Sequence, residues 1–281
     1  MKLWQTLYGI RQVIIKAEGK NRVMQNIIIK RLATIDELQQ LQKVEEAVWN
    51  VATIPIHQTY TALNNGGIII GAFDRDELIG YLYSFPGFRN GQAYICSHML
   101  GILPPYRTNN LGVKLKQKQA EIAKDAGFSM ITWTFDPLES KNAYINLHQL
   151  QAVGAIYLEN HYGNLNDGLN TGLPTDRIQI IWEMKLSNKQ IDHLDETQIL
   201  LTVDEQRRPS QKTQDITKGK RWFVGIPGDF QTIKTNDFSL AKEWRFESRA
   251  IFQRLFALGF KAVDYIYDAD NTQGFYVFEH Q

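Results

Sequence analysis

Residues 92–135 hold the tightest constraint on how this chain can fold. A long β-type run, Gln92 to Leu103, stops at Pro104-Pro105, which neither a helix interior nor a central strand tolerates. After a short polar turn the pattern becomes helical from Leu111 to Ala126. Leu111, Leu115, Ala120, Ile122 and Ala123 are its apolar members, and Lys114, Lys116, Lys118, Glu121, Lys124 and Asp125 read as its wet side. Gly127 suits a helix terminator. SMITWTF (129–135) is a second β-type run, ended by Asp136-Pro137. A helix set between two strands requires a sheet that carries helices on its faces.

The flanking residues extend this pattern. IIIKRLA (27–33) reads as a strand, and Thr34-Ile35-Asp36-Glu37 has the form of a capping box opening a helix to about Trp49. A second helix is expected from about His57 to Leu63. IIIGAFD (68–74) and ELIGYLYSFPG (77–87) make an antiparallel hairpin. Ser140 to Gln151 reads as a helix, and 153–160 and 177–186 as strands. The Asn- and Gly-rich stretch between those strands, 160–176, is long enough to be functional or mobile. The order for 27–186 is therefore β-α-α-β-β-β-α-β-α-β-β. Residues 188–281 form a smaller α/β segment: a strand at 222–227, an amphipathic helix from Leu240 to Leu258, and a hairpin from 260–268 and 274–279. Residues 204–221 have almost no apolar content and read as a linker or exposed loop.

Composition narrows the function classes. A length of 281 residues fits one large domain or two modest ones. The formal net charge of +1 gives no global field for nucleic acid or an anionic membrane, although a local basic groove stays open. Cys96 is the single cysteine, which excludes an intramolecular disulfide and a Cys-rich zinc site and suits a reducing, cytoplasmic setting. With no H-x-x-x-H or H-E-x-x-H, no metal is expected. No apolar stretch approaches the roughly 20 residues of a membrane helix. Residues 1–26 do not read as a signal peptide and are taken as an extension.

The turn Arg107-Thr108-Asn109-Asn110-Leu111-Gly112 carries the chemistry. The first amides of a helix lack intrahelical partners, and the helix dipole adds positive potential, so the site suits an anion such as pyrophosphate. Gly112 lets a phosphate approach the backbone. Asn110 enters the left-handed region readily. Arg107 adds a donor fork. A strand–turn–helix of this composition also occurs with no ligand at all.

This turn resembles motif A of the GNAT acyltransferases, Q/R-x-x-G-x-G/A at the start of the central helix, with Asn110 in place of the middle glycine. The element order of 27–186 is similar to the GNAT order. ITWTFDPLESKNAYINLHQLQAVGA (131–155), with SHMLGILP (97–104) before it and LPTDRIQIIWEM (173–184) after it, resembles a bacterial GNAT subgroup. Its members carry a further segment similar to IPGDFQTIK and WRFESRAIFQRLFALGF here. The resemblance implies an α/β (α+β) fold, a mixed, mostly antiparallel sheet flanked by helices. It implies that residues 27–187 bind acetyl-CoA or another acyl-CoA. The pantetheine would lie along the strand near Leu100 and Ile102, and the pyrophosphate over Arg107, Thr108, Asn109, Asn110, Leu111, Gly112 and Val113. Asn142 is a candidate contact to the pantetheine arm, or simply an exposed helix residue.

The proton-transfer groups are less defined. Many GNAT enzymes use a Tyr four residues before a Gly on the helix after the fifth strand. The matching Gly position here is Gln151, and four residues back stands Leu147, which cannot donate a proton. Tyr144 and His148 lie on other parts of that helix surface. His98 is a candidate base or acceptor contact, or a half-buried strand histidine. Asp136 could hold a substrate ammonium, act as base, or close a turn. Arg177 could clamp a carboxylate, or form a surface ion pair. No activated thiol or serine suggests a ping-pong route. The expected function is N-acyl transfer, of acetyl, succinyl or another short group, to the amine of a small molecule or amino acid in a ternary complex. A non-catalytic acyl-CoA sensor or structural protein with the same fold, or a nucleotide ligand in the same turn, are the alternatives, and a homodimer is left open.

Overall fold

The computed structural model describes residues 27–50, 52–107, 110–163, 171–184, 191, 193–212, 214–217, 219–268 and 272–280. Thr108 and Asn109 lie outside the described residues.

The first half runs β1 (Ile27–Arg31), α1 (Ile35–Trp49), α2 (Ile56–Asn64), β2 (Ile68–Asp74), β3 (Glu77–Arg89), β4 (Gln92–Ile102), α3 (Leu111–Asp125), β5 (Ile131–Phe135), α4 (Ser140–Ala143), β6 (Val153–Leu158) and β7 (Arg177–Trp182). The second runs β8 (Ile199–Val203), β9 (Pro209–Gln211), β10 (Trp222–Pro227), α5 (Phe230–Asn236), α6 (Phe238–Ala257), β11 (Phe260–Tyr267) and β12 (Gln273–His280). All twelve strands join one sheet in the order β1-β2-β3-β4-β5-β7-β6-β11-β12-β10-β8-β9. Its pairs are antiparallel except β4 with β5 and β8 with β10.

The alternation of the strands decides where the helices go. In β2, Ile69 joins the core under α1, with Leu38, Leu41, Val44, Tyr81 and Tyr83. Its neighbours Ile68 and Ile70 face the other way, into the core that holds α3. That second core is continuous with Trp244, Phe252 and Leu255 of α6, so one apolar layer spans both halves. The capping box of α1 is present: Glu37 N–H donates to Thr34 Oγ1 at 3.2 Å, and Thr34 N–H donates to Glu37 Oε2 at 3.1 Å.

Two irregularities shape the centre. β4 pairs with β5 at Ile95–Ile131 and Cys96–Thr132, and beyond that the two strands part. Between β3 and β4 the register slips, so that Tyr83 faces Met99 while Ser84 faces Ser97. His98 is the extra residue of this bulge.

The halves meet where β6 pairs with β11 at Gly154–Ala262. A Cβ on Gly154 would stand 2.9 Å from Ala262 Cβ and 3.0 Å from Ile178 Cγ2, so the seam requires glycine there. β8 and α5 have no counterpart in the sequence-based expectation, and two further stretches differ from it. The helix expected from Ser140 to Gln151 is α-helical through Ala143, then widens to a π-helix over Tyr144–Gln149. Within the polar stretch 204–221, Pro209–Gln211 pairs with β8 as the edge strand β9.

Candidate active site

α3 is preceded by Asn110, whose φ of 56° and ψ of 30° are left-handed, and no side chain caps the helix. An asparagine can hold this conformation because its short amide offsets part of the steric penalty. Gly112 lies over β4: a Cβ there would meet Ile102 Cδ1 at 3.7 Å and Leu100 Cδ2 at 3.8 Å, ordinary contact distances. Leu111 and Val113 on either side are buried anchors of the helix start. Arg107 is exposed, and its Nε donates to the Ile102 carbonyl at 2.9 Å, which folds the side chain back toward the end of β4.

A cavity of about 460 Å³ opens beside this helix start. Asn110 forms part of its wall, Lys141, Tyr144, Ile145 and Gln149 form another, and Gly228 and Tyr267 from the second half close it. The Tyr144 and Tyr267 rings stand 5.2 Å apart. His148 stacks on Tyr144 at 4.7 Å, and its Nδ1 is 2.9 Å from Oδ1 of the buried Asp264. Tyr144 and His148, separated from the expected acid position in sequence terms, therefore share one wall with β11.

At the fork between β4 and β5 the first residues past the last pair are Ser97 and Trp133. Lys116 of α3 reaches both. Its Nζ donates to Ser97 Oγ at 2.8 Å and sits 3.6 Å over the Trp133 ring. Only 5% of Lys116 is exposed, which corrects its placement on the wet side of the helix. Burial pushes its amine well below the ordinary lysine range, against a small upward pull from Cys96. One turn on, the side-chain amide of Gln119 is fully buried with neither its nitrogen nor its oxygen bonded. Trp133 Nε1 donates to Oδ1 of buried Asn146 at 3.2 Å.

The remaining sequence candidates fall into distinct settings. His98 packs against Tyr83 and Phe85, at ring distances of 6.0 and 5.8 Å, on the α1 face. The residue is nevertheless exposed, and partial desolvation lowers its pKa below the ordinary histidine value. Asp136 closes the turn after β5, where its Oδ1 accepts from Leu138 N–H at 2.8 Å, and its Oδ2 lies 2.5 Å from Nη2 of Arg245 and 3.6 Å from Nη1 of Arg177. Arg177 is buried, donates to the Asp176 carbonyl at 2.8 Å and lies over the Tyr162 ring, so it is no surface residue. Asn142 is exposed on α4 next to cavity-lining Lys141. Leu147 is buried in the core, and Gln151, at the position where the resemblance expects glycine, takes a φ of 53°.

Comparison with known proteins adds a family. Residues 34–150 match the family model described as "Acetyltransferase (GNAT) family". Over this segment, under half of the chain, the sequence is similar to GNAT acetyltransferases. A search of curated proteins found no match. Among solved structures, the chain is similar to yncA from Salmonella typhimurium, solved with its cofactor acetyl-CoA, at 12% identity and a TM-score of 0.48, covering 59% of this chain and 98% of that one. It is similar to the ribosomal-protein-S18-alanine N-acetyltransferase from Escherichia coli at 11% identity and a TM-score of 0.47, covering 60% and 100%. An aminoglycoside acetyltransferase from an uncultured soil metagenomic sample, solved with sisomicin, matches at 18% identity and a TM-score of 0.37, covering 41% and 82%.

The family match agrees with the sequence reading on the enzyme class, an acyltransferase, and on the mixed, mostly antiparallel GNAT-like sheet. Within residues 34–150, sequence reasoning missed Lys116, Gln119 and Asn146. A signal existed for the first: Val113, Lys116, Ala120 and Ala123 recur at helical spacing, which puts a lysine on the buried stripe. Nothing in the sequence pointed to Gly228 and Tyr267 as neighbours of Asn110, because only the sheet topology brings them there.

Proposed function

We propose that this chain is an N-acyltransferase that moves an acetyl or other short acyl group, succinyl included, from coenzyme A to the amine of a small molecule or amino acid by direct transfer. One observation carries this reading. The fork between β4 and β5 leaves the β4 residues from Ser97 onward without a β5 partner, directly beside an α3 that no side chain caps and whose preceding residue, Asn110, is left-handed. The residues fit coenzyme A: bare helix amides and Arg107 suit the diphosphate, and the free strand edge suits the pantetheine amides. Thr108, Asn109, Leu111, Gly112 and Val113 would supply the rest of the cradle, with residues 27–187 as the acyl-CoA-binding unit. His98, whose pKa desolvation lowers, suits the acceptance of a proton from the incoming ammonium. Asp136 and Arg177 would order the mouth of the cleft. The lone thiol supports a cytoplasmic setting.

The buried Leu147 at the usual proton-donor position favours a second reading, a non-catalytic acyl-CoA sensor. The test is a thermal-shift comparison of coenzyme A with ATP, NAD and phosphate, followed by thiol release from acetyl-CoA and succinyl-CoA over an amine panel. The enzyme reading requires a selective shift with coenzyme A and amine-dependent thiol release. A shift with no release over the panel favours the sensor, and a stronger shift with ATP or NAD overturns both.

A further inference from the structure

The buried amine of Lys116 has no packing explanation. A methionine would fill the same volume in this apolar core without desolvating a charge-bearing group. Yet the lysine is there, at the parting of β4 and β5, with Ser97 on one side and the Trp133 face on the other. Among the described residues no carboxylate pairs with it; the titratable group that acts on it is the Cys96 thiol of β4, while β5 presents the Trp133 ring. Burial also raises the Cys96 pKa, so that thiol supplies no anion near neutral pH.

The hydrogen bond has a direction. Lys116 Nζ donates to Ser97 Oγ, which leaves the serine O–H free to donate elsewhere. Ser97 and Lys116 are both buried, with 6% and 5% of their surfaces exposed, and stand just past the last β4–β5 pair. The unpartnered amide of Gln119 on the same buried stripe marks the interior here as polar beyond what packing needs. The Trp133 face offsets part of the cost of a proton on the amine, while burial still holds its pKa well below the ordinary lysine range.

We infer that Ser97 and Lys116 form the proton-delivery pair for the departing thiolate, in place of the acid that Leu147 cannot be. The inference rests on the acyl-transfer reading above, in which the thioester lies in this fork. In the step, the acceptor nitrogen forms a bond to the acyl carbon and the C–S bond breaks. The thiolate takes the Ser97 hydroxyl proton, and Ser97 takes one from the Lys116 ammonium. The proton lost by the acceptor nitrogen recharges Lys116, so the transfer is neutral overall. Ser97 touches the sulfur, and Lys116 is a positioning residue that acts through it.

The pair makes a basic limb in the pH–rate profile, because activity needs Lys116 protonated and falls as pH rises through its pKa. Burial places that fall below the ordinary lysine range. The experiment compares wild type with Lys116→Met, Lys116→Arg and Ser97→Ala, each checked for folding by its thermal transition and for coenzyme A binding. Loss of about 10²-fold or more in kcat in Lys116→Met and Ser97→Ala, with KM for the acyl-CoA unchanged, is expected. Arginine at 116 stays charged and should not restore the rate. The basic limb should vanish in all three. Wild-type kcat with an intact basic limb in a folded Lys116→Met would overturn the inference while leaving acyl transfer standing. A second measurement needs no turnover: in a protein labelled at lysine Cε, one NMR signal, absent from Lys116→Met, should titrate below the rest and move when coenzyme A is added. A signal indifferent to coenzyme A removes Lys116 from the thiol site. A signal that moves in a wild-type chain that transfers to no amine defeats the acyl-transfer reading and the proton role with it.

Discussion

Arg245 reaches across 109 residues of sequence to place its Nη2 2.5 Å from Oδ2 of Asp136. Only 1% of Arg245 is exposed, and its Nε and Nη1 have no hydrogen-bond partner. The second half of the chain therefore holds the end of β5, the strand that forms one side of the fork, by a buried charge. Replacing Arg245 with methionine leaves the Asp136 carboxylate without its closest cation and should lower stability by about 3 kcal/mol. Urea denaturation measures this, and an Asp136→Asn, Arg245→Met double mutant should recover part of the loss. A double-mutant loss equal to the sum of the two single losses would mean that the pair does not couple the halves.

Gly112 tests the diphosphate cradle without threatening the fold. A methyl there meets Ile102 and Leu100 at ordinary contact distances, so Gly112→Ala should stay within about 1 kcal/mol of wild type in stability. The same methyl fills the gap between helix start and β4 that the cofactor arm would use. Calorimetry should show coenzyme A binding weakened at least about tenfold. Unchanged affinity would move the arm elsewhere.

His98 should set the acid limb of the pH–rate profile. Desolvation lowers its pKa, so the imidazole is neutral near pH 7 and the limb should lie below the ordinary value of 6.5. His98→Gln should lower kcat/KM by about 10²-fold and remove that limb. A variant that keeps the limb assigns it to another group.

Glu37 predicts an acid-sensitive term in stability. Burial pushes its carboxyl up, but bonds from the Ala33 amide, Lys30 and the Thr34 amide outweigh this and bring it down to about 2, from an ordinary 4.5. A depressed carboxyl stabilises the fold above its unfolded pKa, and this is lost as pH falls from 4.5 toward about 2. The contribution is on the order of 2 kcal/mol after allowance for solvent screening at Lys30. Glu37→Gln should lose it at neutral pH and show a flatter acid limb in thermal melts. Identical limbs in both proteins would show that the capping box carries no such term.

Local patterns wrote much of residues 27–186 into the sequence. The capping box at Thr34, the stop at Pro104-Pro105 and the α3 periodicity each depend on neighbours a few residues apart, and each recurs in the structure. The π-helix over Tyr144–Gln149 did not announce itself, since the apolar spacing there fits an ordinary helix as well. Lys116 was misplaced because lysine is nearly always solvated, and a prior on residue type outweighed the spacing that put it inside.

By itself, then, the sequence determined most of the elements of residues 27–186, their order and the family resemblance, which arise from short-range sterics and periodic burial. The tertiary structure alone decided that both halves share one sheet through Gly154 and Ala262, that Tyr267 and Gly228 wall the cavity at Asn110, and that Asp136 answers to Arg245. Those contacts join residues a hundred or so positions apart, and their partners are selected by strand register and close packing, which no local window of residues encodes.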